Sequence, residues 1–268
     1  MHALVTGGSA GFGLALARAY VARGWRVTIV GRDRARLAAA AERLGEGTHT
    51  IAADLAVAGE PTRVVEEALS HVGQLDAVCH AAGRSSRGWV HKTPRQDFER
   101  LLALNFLAAV ELTTAAADAL MTSRGSLVLI GSLATHVAPA GLGAYPASKH
   151  PLAAFAQQCR LELGPRGCHT LLVCPGPMAR DDAGARYDDQ AAELPDELRQ
   201  PGGGAKVKLL DPDDLAKQVL RACDRRVAEL VVPKKARLLF ALGRLFPEWG
   251  DRLLRRNSAG GSGSGKPT

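Results

Sequence analysis

Four residues have the types and spacing for acid–base work. Tyr145 and Lys149 stand four apart in Tyr145-Pro146-Ala147-Ser148-Lys149, so on a helix they share one face. Ser132 closes the apolar run Ser126–Gly131, and Asn105 falls in a long helical pattern ahead of that run. A free phenol has a pKa near ~10 and exchanges its proton poorly at neutral pH. A lysine ammonium one turn away favours the phenolate and brings the group into a working range. A serine hydroxyl can hold a reacting oxygen against that phenol. An asparagine can position a water that relays protons to the lysine. The chemistry that suits the set is proton delivery to the alkoxide that develops when hydride reaches a carbonyl carbon. A lone Tyr-x-x-x-Lys reads equally as a surface pair, and a lone Ser as a turn residue. The conjunction in this order argues for a site.

These residues need a scaffold that brings a strand end and a helix start together. Short apolar runs fall at Ala3–Thr6, Arg26–Val30, Thr48–Ala53, Leu75–His80, Ser126–Gly131, Thr170–Cys174 and Glu229–Val232. Helical patterns lie between them, near 11–23, 33–44, 60–72, 96–122, 145–164 and 211–225. Continuous apolar strands alternating with helices predict a parallel sheet covered on both faces. In such a sheet the ligand crevice forms at the C-terminal strand ends, where Ser132 and Tyr145 would meet.

The first strand runs into Thr6-Gly7-Gly8-Ser9-Ala10-Gly11-Phe12-Gly13. Glycines at 7, 11 and 13 allow a tight turn and close approach to a pyrophosphate, and the following helix N-terminus offers N–H groups and a positive dipole. A plain tight turn is the alternative, but the strand–turn–helix setting favours a dinucleotide cradle. The second strand ends Gly31-Arg32. An acid at this place holds the ribose of NAD, whereas a basic residue accommodates the 2′-phosphate of NADP. Arg32 therefore points to NADPH over NADH, with a solvated surface arginine as the alternative. Asp33 stands where a helix N-cap belongs. Asp54-Leu55 closes the third strand, as an acceptor for an adenine amino group or as a helix cap. Ala82-Gly83 follows the fourth strand and lets backbone lie against the cofactor.

The chain resembles the short-chain dehydrogenase/reductase superfamily over residues 2–232. The matching positions are Thr6-Gly7-x-x-x-Gly11-x-Gly13, Asp54, Ala82-Gly83, Asn105, Ser132, Tyr145-x-x-x-Lys149 and Pro175-Gly176. The resemblance implies a doubly wound, Rossmann-type, seven-stranded parallel α/β sheet with helices on both faces. It also implies nicotinamide-dependent ketone/alcohol chemistry, Pro175-Gly176 beside the nicotinamide, and homodimers or homotetramers built on the helices at 96–122 and 145–164. Two departures stand out. His80-Ala81 replaces the family's paired asparagines, and Pro177-Met178-Ala179-Arg180 has no counterpart of its nicotinamide-contacting threonine. A narrower likeness to reductases of lipid-like ketones, such as 3-ketosphinganine reductases, suggests a lipid-like substrate. The competing function is a non-catalytic NADP(H)-binding sensor or scaffold of the same fold.

The 268 residues carry a net charge of +7. Residues 1–232 hold 26 basic and 25 acidic residues, and residues 233–256 hold 7 and 2. The basic excess thus belongs to the C-terminal segment, which removes the case for nucleic acid. Five cysteines without C-x-x-C or metal spacing read as reduced thiols of a cytoplasmic protein, with no metal site. No apolar run is read as approaching the ~20 residues needed to cross a bilayer, so the chain is expected not to span a membrane. Residues 177–210 form a long polar insertion, expected to act as a substrate lid. Residues 233–256 form a basic amphipathic helical extension with Leu238, Leu242, Leu245, Trp249 and Leu253 at helical spacing. Such a segment either makes peripheral contact with a membrane or packs on the domain or a partner subunit. Residues 257–268 read as a flexible Gly/Ser tail.

Overall fold

The computed structural model describes residues 1–179, 194, 195, 198 and 208–258, without side chains for 256–258. Seven strands form one sheet: β1 (His2–Thr6), β2 (Arg26–Gly31), β3 (Thr48–Ala52), β4 (Ala77–His80), β5 (Ser126–Ile130), β6 (His169–Pro175) and β7 (Glu229–Val232). All pairs are parallel and the order is β3-β2-β1-β4-β5-β6-β7. The order reverses between β1 and β4, and a doubly wound sheet opens its ligand crevice at that point. The register brings Thr6 beside both Val30 and His80, so three strand ends finish level at the crevice.

Parallel strands are apolar on both faces because helices cover both, and the core is split accordingly. On one face, α3 (Glu60–Val72), α5 (Ala108–Thr122) and α7 (Pro151–Glu162) bury Val64, Leu112 and Leu152 against Leu4 and Leu127. On the other, α1 (Gly11–Val21), α2 (Arg34–Leu44) and α8 (Pro212–Asp224) bury Leu16, Leu37 and Val219 against Val5 and Ile29. The expected strand and helix order holds throughout, with ends shifted by one or two residues.

Two long helices differ from the expectation. The pattern at 96–122 is divided into α4 (Arg95–Leu102), a π-helical turn (Ala103–Leu107) and α5. The pattern at 145–164 is divided into α6 (Tyr145–Lys149) and α7, with Pro151 opening the second piece. Proline there supplies no N–H to the preceding turn. The joined stretch Arg95–Thr122 is long and apolar enough, by length and composition, to cross a membrane. Its inward residues Ala108, Leu112, Ala116 and Leu120 are core.

The C-terminal extension is two helices rather than one, α9 (Ala236–Leu245) and α10 (Pro247–Ser258). They cross where Gly250 meets Gly243, and a Cβ on Gly250 would lie 2.9 Å from the Gly243 Cα. The lid expectation for 177–210 falls mostly outside the described residues. The feet of the insertion are joined, with Leu210 N–H donating to Pro177 O and Ala179 N–H to Leu210 O, both at 2.9 Å. The tail expectation lies outside the described residues beyond Ser258. All five cysteines are unpaired and four are buried.

The turn between β1 and α1 has no spare room. A Cβ at Gly13 would lie 2.2 Å from the carbonyl oxygen of Gly7, a backbone atom that cannot swing away. Gly13→Ala is expected to cost about 3 kcal/mol of stability, the upper end for overpacking because the clash is with backbone, read as a lower urea midpoint. A variant as stable as the wild type would refute this close approach.

Candidate active site

Lys149 lies at the centre of the crevice. It is only 5% exposed, and its Nζ donates to the carbonyl oxygen of Ile130 at 2.8 Å. That carbonyl ends β5, two residues before Ser132. Burial disfavours the ammonium and lowers the pKa of Lys149 to about 8. The amine therefore stays mostly charged at neutral pH, at a place where water screens it little. Tyr145 opens the same short helix, half-buried, with Pro146 next to it at a position where no helical N–H is needed.

Ser132 caps a 3₁₀ turn, Leu133–Thr135. Its Oγ accepts from the Ala134 N–H at 3.1 Å, and its own N–H donates to Thr135 Oγ1 at 3.0 Å. The cap uses the hydroxyl as an acceptor and leaves its hydrogen to donate elsewhere. This 3₁₀ turn packs against α6, which brings Ser132 and Tyr145 into one crevice.

Asn105 occupies the π turn and is fully buried. Its Nδ2 donates to Ser148 Oγ and to the Arg84 carbonyl, both at 2.8 Å, and its Oδ1 accepts from the Arg84 N–H at 2.9 Å. Ser148 Oγ in turn donates to the Tyr145 carbonyl at 2.7 Å. The asparagine is thus tied to the Tyr145–Lys149 helix through Ser148. Gly83 lies against the same group: a Cβ there would stand 2.9 Å from Asn105 Oδ1 and 3.5 Å from Lys149 Nζ. One extra residue per turn is what a π bulge adds, and such bulges recur at functional sites.

The glycine turn has the shape expected of a phosphate cradle. Gly7 and Gly11 have positive φ, +67° and +54°. Gly7 is pressed against Ala82, with 3.0 Å between a would-be Cβ and its Cα. At Gly11 a Cβ would meet nothing within 4 Å, so this corner of the turn faces open space. Among the described residues, no side chain caps α1 and no acid stands in its first turn, which leaves the dipole free for an anion. Ser9 lies beside Gly31, where a Cβ would come within 3.1 Å of its Oγ. Phe12 and Leu55 are buried in the core, so only their backbone can serve a ligand.

Arg32 is exposed and reaches across to Asp54, with Nη1 3.9 Å from Oδ2. Asp54 Oδ1 also accepts from the Ala56 N–H at 3.1 Å, so a turn role accompanies any ligand role. Asp33 caps α2 by accepting from the Arg36 N–H, as its position predicts. Pro175 ends β6 and Gly176 N–H donates to Val232 O at 2.7 Å, which places both buried residues at the same sheet edge.

Sequence reasoning assigned no role to Ser148, although it stands inside the Tyr-x-x-x-Lys stretch. It also assigned none to the Ile130 carbonyl or the Arg84 backbone, because a main-chain partner leaves no mark on residue type. His80 was noted only as a departure from a motif. The structure places it fully buried, with Nδ1 3.3 Å from Thr6 Oγ1 and Nε2 3.2 Å from Leu104 O. The Leu104 carbonyl can only accept, so Nε2 carries the hydrogen of the neutral ring and Nδ1 accepts from Thr6 Oγ1, which itself accepts from the Ala82 N–H at 3.0 Å. His80 therefore joins the end of β1 to the π turn that carries Asn105.

A family model described as short chain dehydrogenase matches residues 1–191. The chain is similar to momilactone A synthase of Oryza sativa subsp. japonica, 31% identical over 81% of each chain. It is also similar to 11-beta-hydroxysteroid dehydrogenase 1A of Arabidopsis thaliana, 28% identical over 96% of this chain and 76% of that one. Among solved structures, a short-chain dehydrogenase from Streptomyces avermitilis superposes with a TM-score of 0.80, at 25% identity and 95% coverage of both chains.

The buried histidine makes a test of this geometry. Burial and the nearby Lys149 charge lower the His80 pKa to about 3, so the ring is neutral in the folded protein. The unfolded chain takes up its proton below a pKa of ~6.5. Stability is therefore full above that value and falls as pH drops from there toward 3. The loss between pH 7.5 and 5 is about 2 kcal/mol. His80→Asn cannot titrate, so its urea-unfolding free energy should fall by that much less than the wild type over the same interval. Equal losses in the two proteins would show that His80 is not held neutral.

Proposed function

From a chain that belongs to the short chain dehydrogenase family, and is an NAD(P)-dependent oxidoreductase, we propose the interconversion of a ketone and a secondary alcohol with NADPH preferred over NADH. The observation that carries this reading is the buried Lys149 ammonium, held on the Ile130 carbonyl one turn from Tyr145 and two residues from Ser132. A dinucleotide fits the uncapped α1 terminus and the open corner at Gly11, with Gly7, Ser9, Phe12 and Gly13 lining the turn and Ala82 and Gly83 behind it. When bound, the nicotinamide supplies or accepts the hydride.

The chain's own groups handle the proton and the oxygen. Ser132 donates its hydroxyl hydrogen to the substrate oxygen and holds it toward Tyr145. Tyr145 Oη gives its proton to that oxygen as negative charge develops there. Lys149, charged and poorly screened, stabilises the resulting phenolate. Asn105 keeps this helix in register through Ser148 and stands beside the route by which Lys149 regains a proton. In the oxidising direction each transfer is reversed.

Arg32 supports the NADPH preference. It is a basic residue at the end of β2, exposed and, among the described residues, paired only with Asp54 at the long distance of 3.9 Å. Arg32 can leave that partner for a 2′-phosphate. Leu194 and Leu198 form a small apolar cluster with Trp89, and a Cβ on Gly141, four residues before Tyr145, would lie 3.0 Å from Leu198 Cδ1. This supports residues 177–210 as a cover of a partly apolar, lipid-like substrate, within a catalytic domain spanning 1–232. Leu107 on the π turn and Leu161 on α7 remain 49% and 69% exposed, which supports a homodimer or homotetramer through these helices. A cytoplasmic location belongs to the same reading, supported by five unpaired cysteines.

Tyr145→Phe should lower turnover of a ketone panel by about 10³-fold or more while leaving NADPH affinity within a few fold; wild-type-like turnover would sink the mechanism. Arg32→Ala should weaken NADPH by at least about tenfold, the value of one charge-assisted contact, and leave NADH nearly unchanged. Equal effects on both cofactors, measured by fluorescence titration, would remove the argument for NADPH.

A further inference from the structure

The C-terminal extension buries little of its own apolar surface. On α9, Ala236 and Phe240 face the domain and join its core. Arg244 lies on the same side, with Nη2 3.4 Å from His136 Nδ1, while the His136 ring stands 5.0 Å from that of Phe240. His136 Nε2 in turn pairs with Glu229 of β7. Four residues separate Ala236, Phe240 and Arg244, so they form one stripe of the helix. The opposite stripe holds Leu238 and Leu245, which are 65% and 71% exposed, Phe246 just past the helix end is 60% exposed, and Leu239 and Trp249 are each 42% exposed. Around them stand the exposed bases Lys234, Lys235, Arg237, Arg252 and Arg255, against two acids, Glu248 and Asp251.

We propose that this helical hairpin is a docking surface for an anionic lipid bilayer. Large exposed side chains clustered on one small element are not an ordinary surface. The charge selects the occupant. The domain through residue 232 is nearly neutral, whereas 233–256 carries five more basic than acidic residues, which suits negative headgroups rather than a second copy of the same basic element. Length sets the mode of binding. Helix α9 has 10 residues and α10 has 12, too short for the ~30 Å hydrocarbon layer. They lie in the interface, with the leucines and Phe246 below the headgroups, Trp249 at the boundary and the bases among the phosphates. Because α9 is clamped to His136, one residue past the turn that Ser132 caps, docking holds that end of the catalytic crevice beside the membrane. An apolar carbonyl compound dissolved in lipid would then have a short path to the site, a consequence that rests on the oxidoreductase reading. The docking itself does not.

The test is co-sedimentation of the full chain with vesicles of phosphatidylcholine alone or with phosphatidylserine added. The wild type should pellet with the anionic vesicles, remain in solution with neutral ones, and be released as salt is raised. Leu238→Glu/Phe246→Glu changes two exposed positions outside the crevice. It should lower apparent vesicle affinity roughly a hundredfold or more, since burying one large apolar side chain is worth at least about tenfold. Its turnover of a water-soluble ketone should match the wild type, which separates failure of docking from failure of the catalytic reading. A wild type that stays in solution with anionic vesicles overturns the proposal, as does a double variant that pellets equally well. Loss of a dimer in the double variant, seen by light scattering without any vesicle binding, would instead make the hairpin a subunit interface.

Discussion

A buried ammonium is costly unless it is held, and the crevice is built around holding one. Lys149 donates a hydrogen bond to the Ile130 carbonyl and lies beside Gly83 and the Asn105 side chain. Removing it from water weakens its hold on its proton and strengthens its field on anything nearby. Its neighbours follow from that constraint. Gly83 lacks a side chain because one would displace Asn105. Asn105 needs the π turn to face the same point, and Ser148 must bridge Asn105 to the Tyr145 carbonyl so that the α6 backbone does not drift. A misplaced phenol would lose most of the electrostatic benefit, which falls with distance.

The sheet transmits this order to the cofactor side. Thr6, at the end of β1, receives the Ala82 N–H and hands its own hydrogen to His80, which holds the Leu104 carbonyl of the π turn. The glycine turn after β1 and Asn105 are therefore tied together by one buried polar chain. A neutral histidine suits that task because it donates and accepts at opposite ends of a rigid ring. The cationic form could not accept from Thr6, and it would stand close to a second buried charge.

The C-terminal hairpin is attached by different physics. Its contact with the domain includes the buried Ala236, the partly buried Phe240 and the polar contact of Arg244 with His136. Leu238, Leu239 and Leu245 stay exposed, so the hairpin's own packing gives no reason for these three leucines. The Glu229–His136 pair secures the base of this arm to β7, next to the 3₁₀ turn of Ser132.

Much of the architecture was legible from residue order. Continuous apolar runs and helical patterns between them mark the seven strands and the helices. The glycine turn, Ser132 and the Tyr145–Lys149 spacing mark the candidate site, because local backbone demands and acid–base chemistry are written in residue type. The breaks at Ala103–Leu107 and at Pro151 were not read, although Pro151 carried a signal for one of them. Neither was the division of the last helix at Pro247 into a hairpin. What the sequence determined by itself is the fold class and the set of side chains that are candidates for the reaction. Only the tertiary structure decided how they are held. The Ile130 carbonyl, the Arg84 backbone, the His80 chain and the His136 clamp are contacts between distant segments, several of them through main-chain atoms that every residue shares.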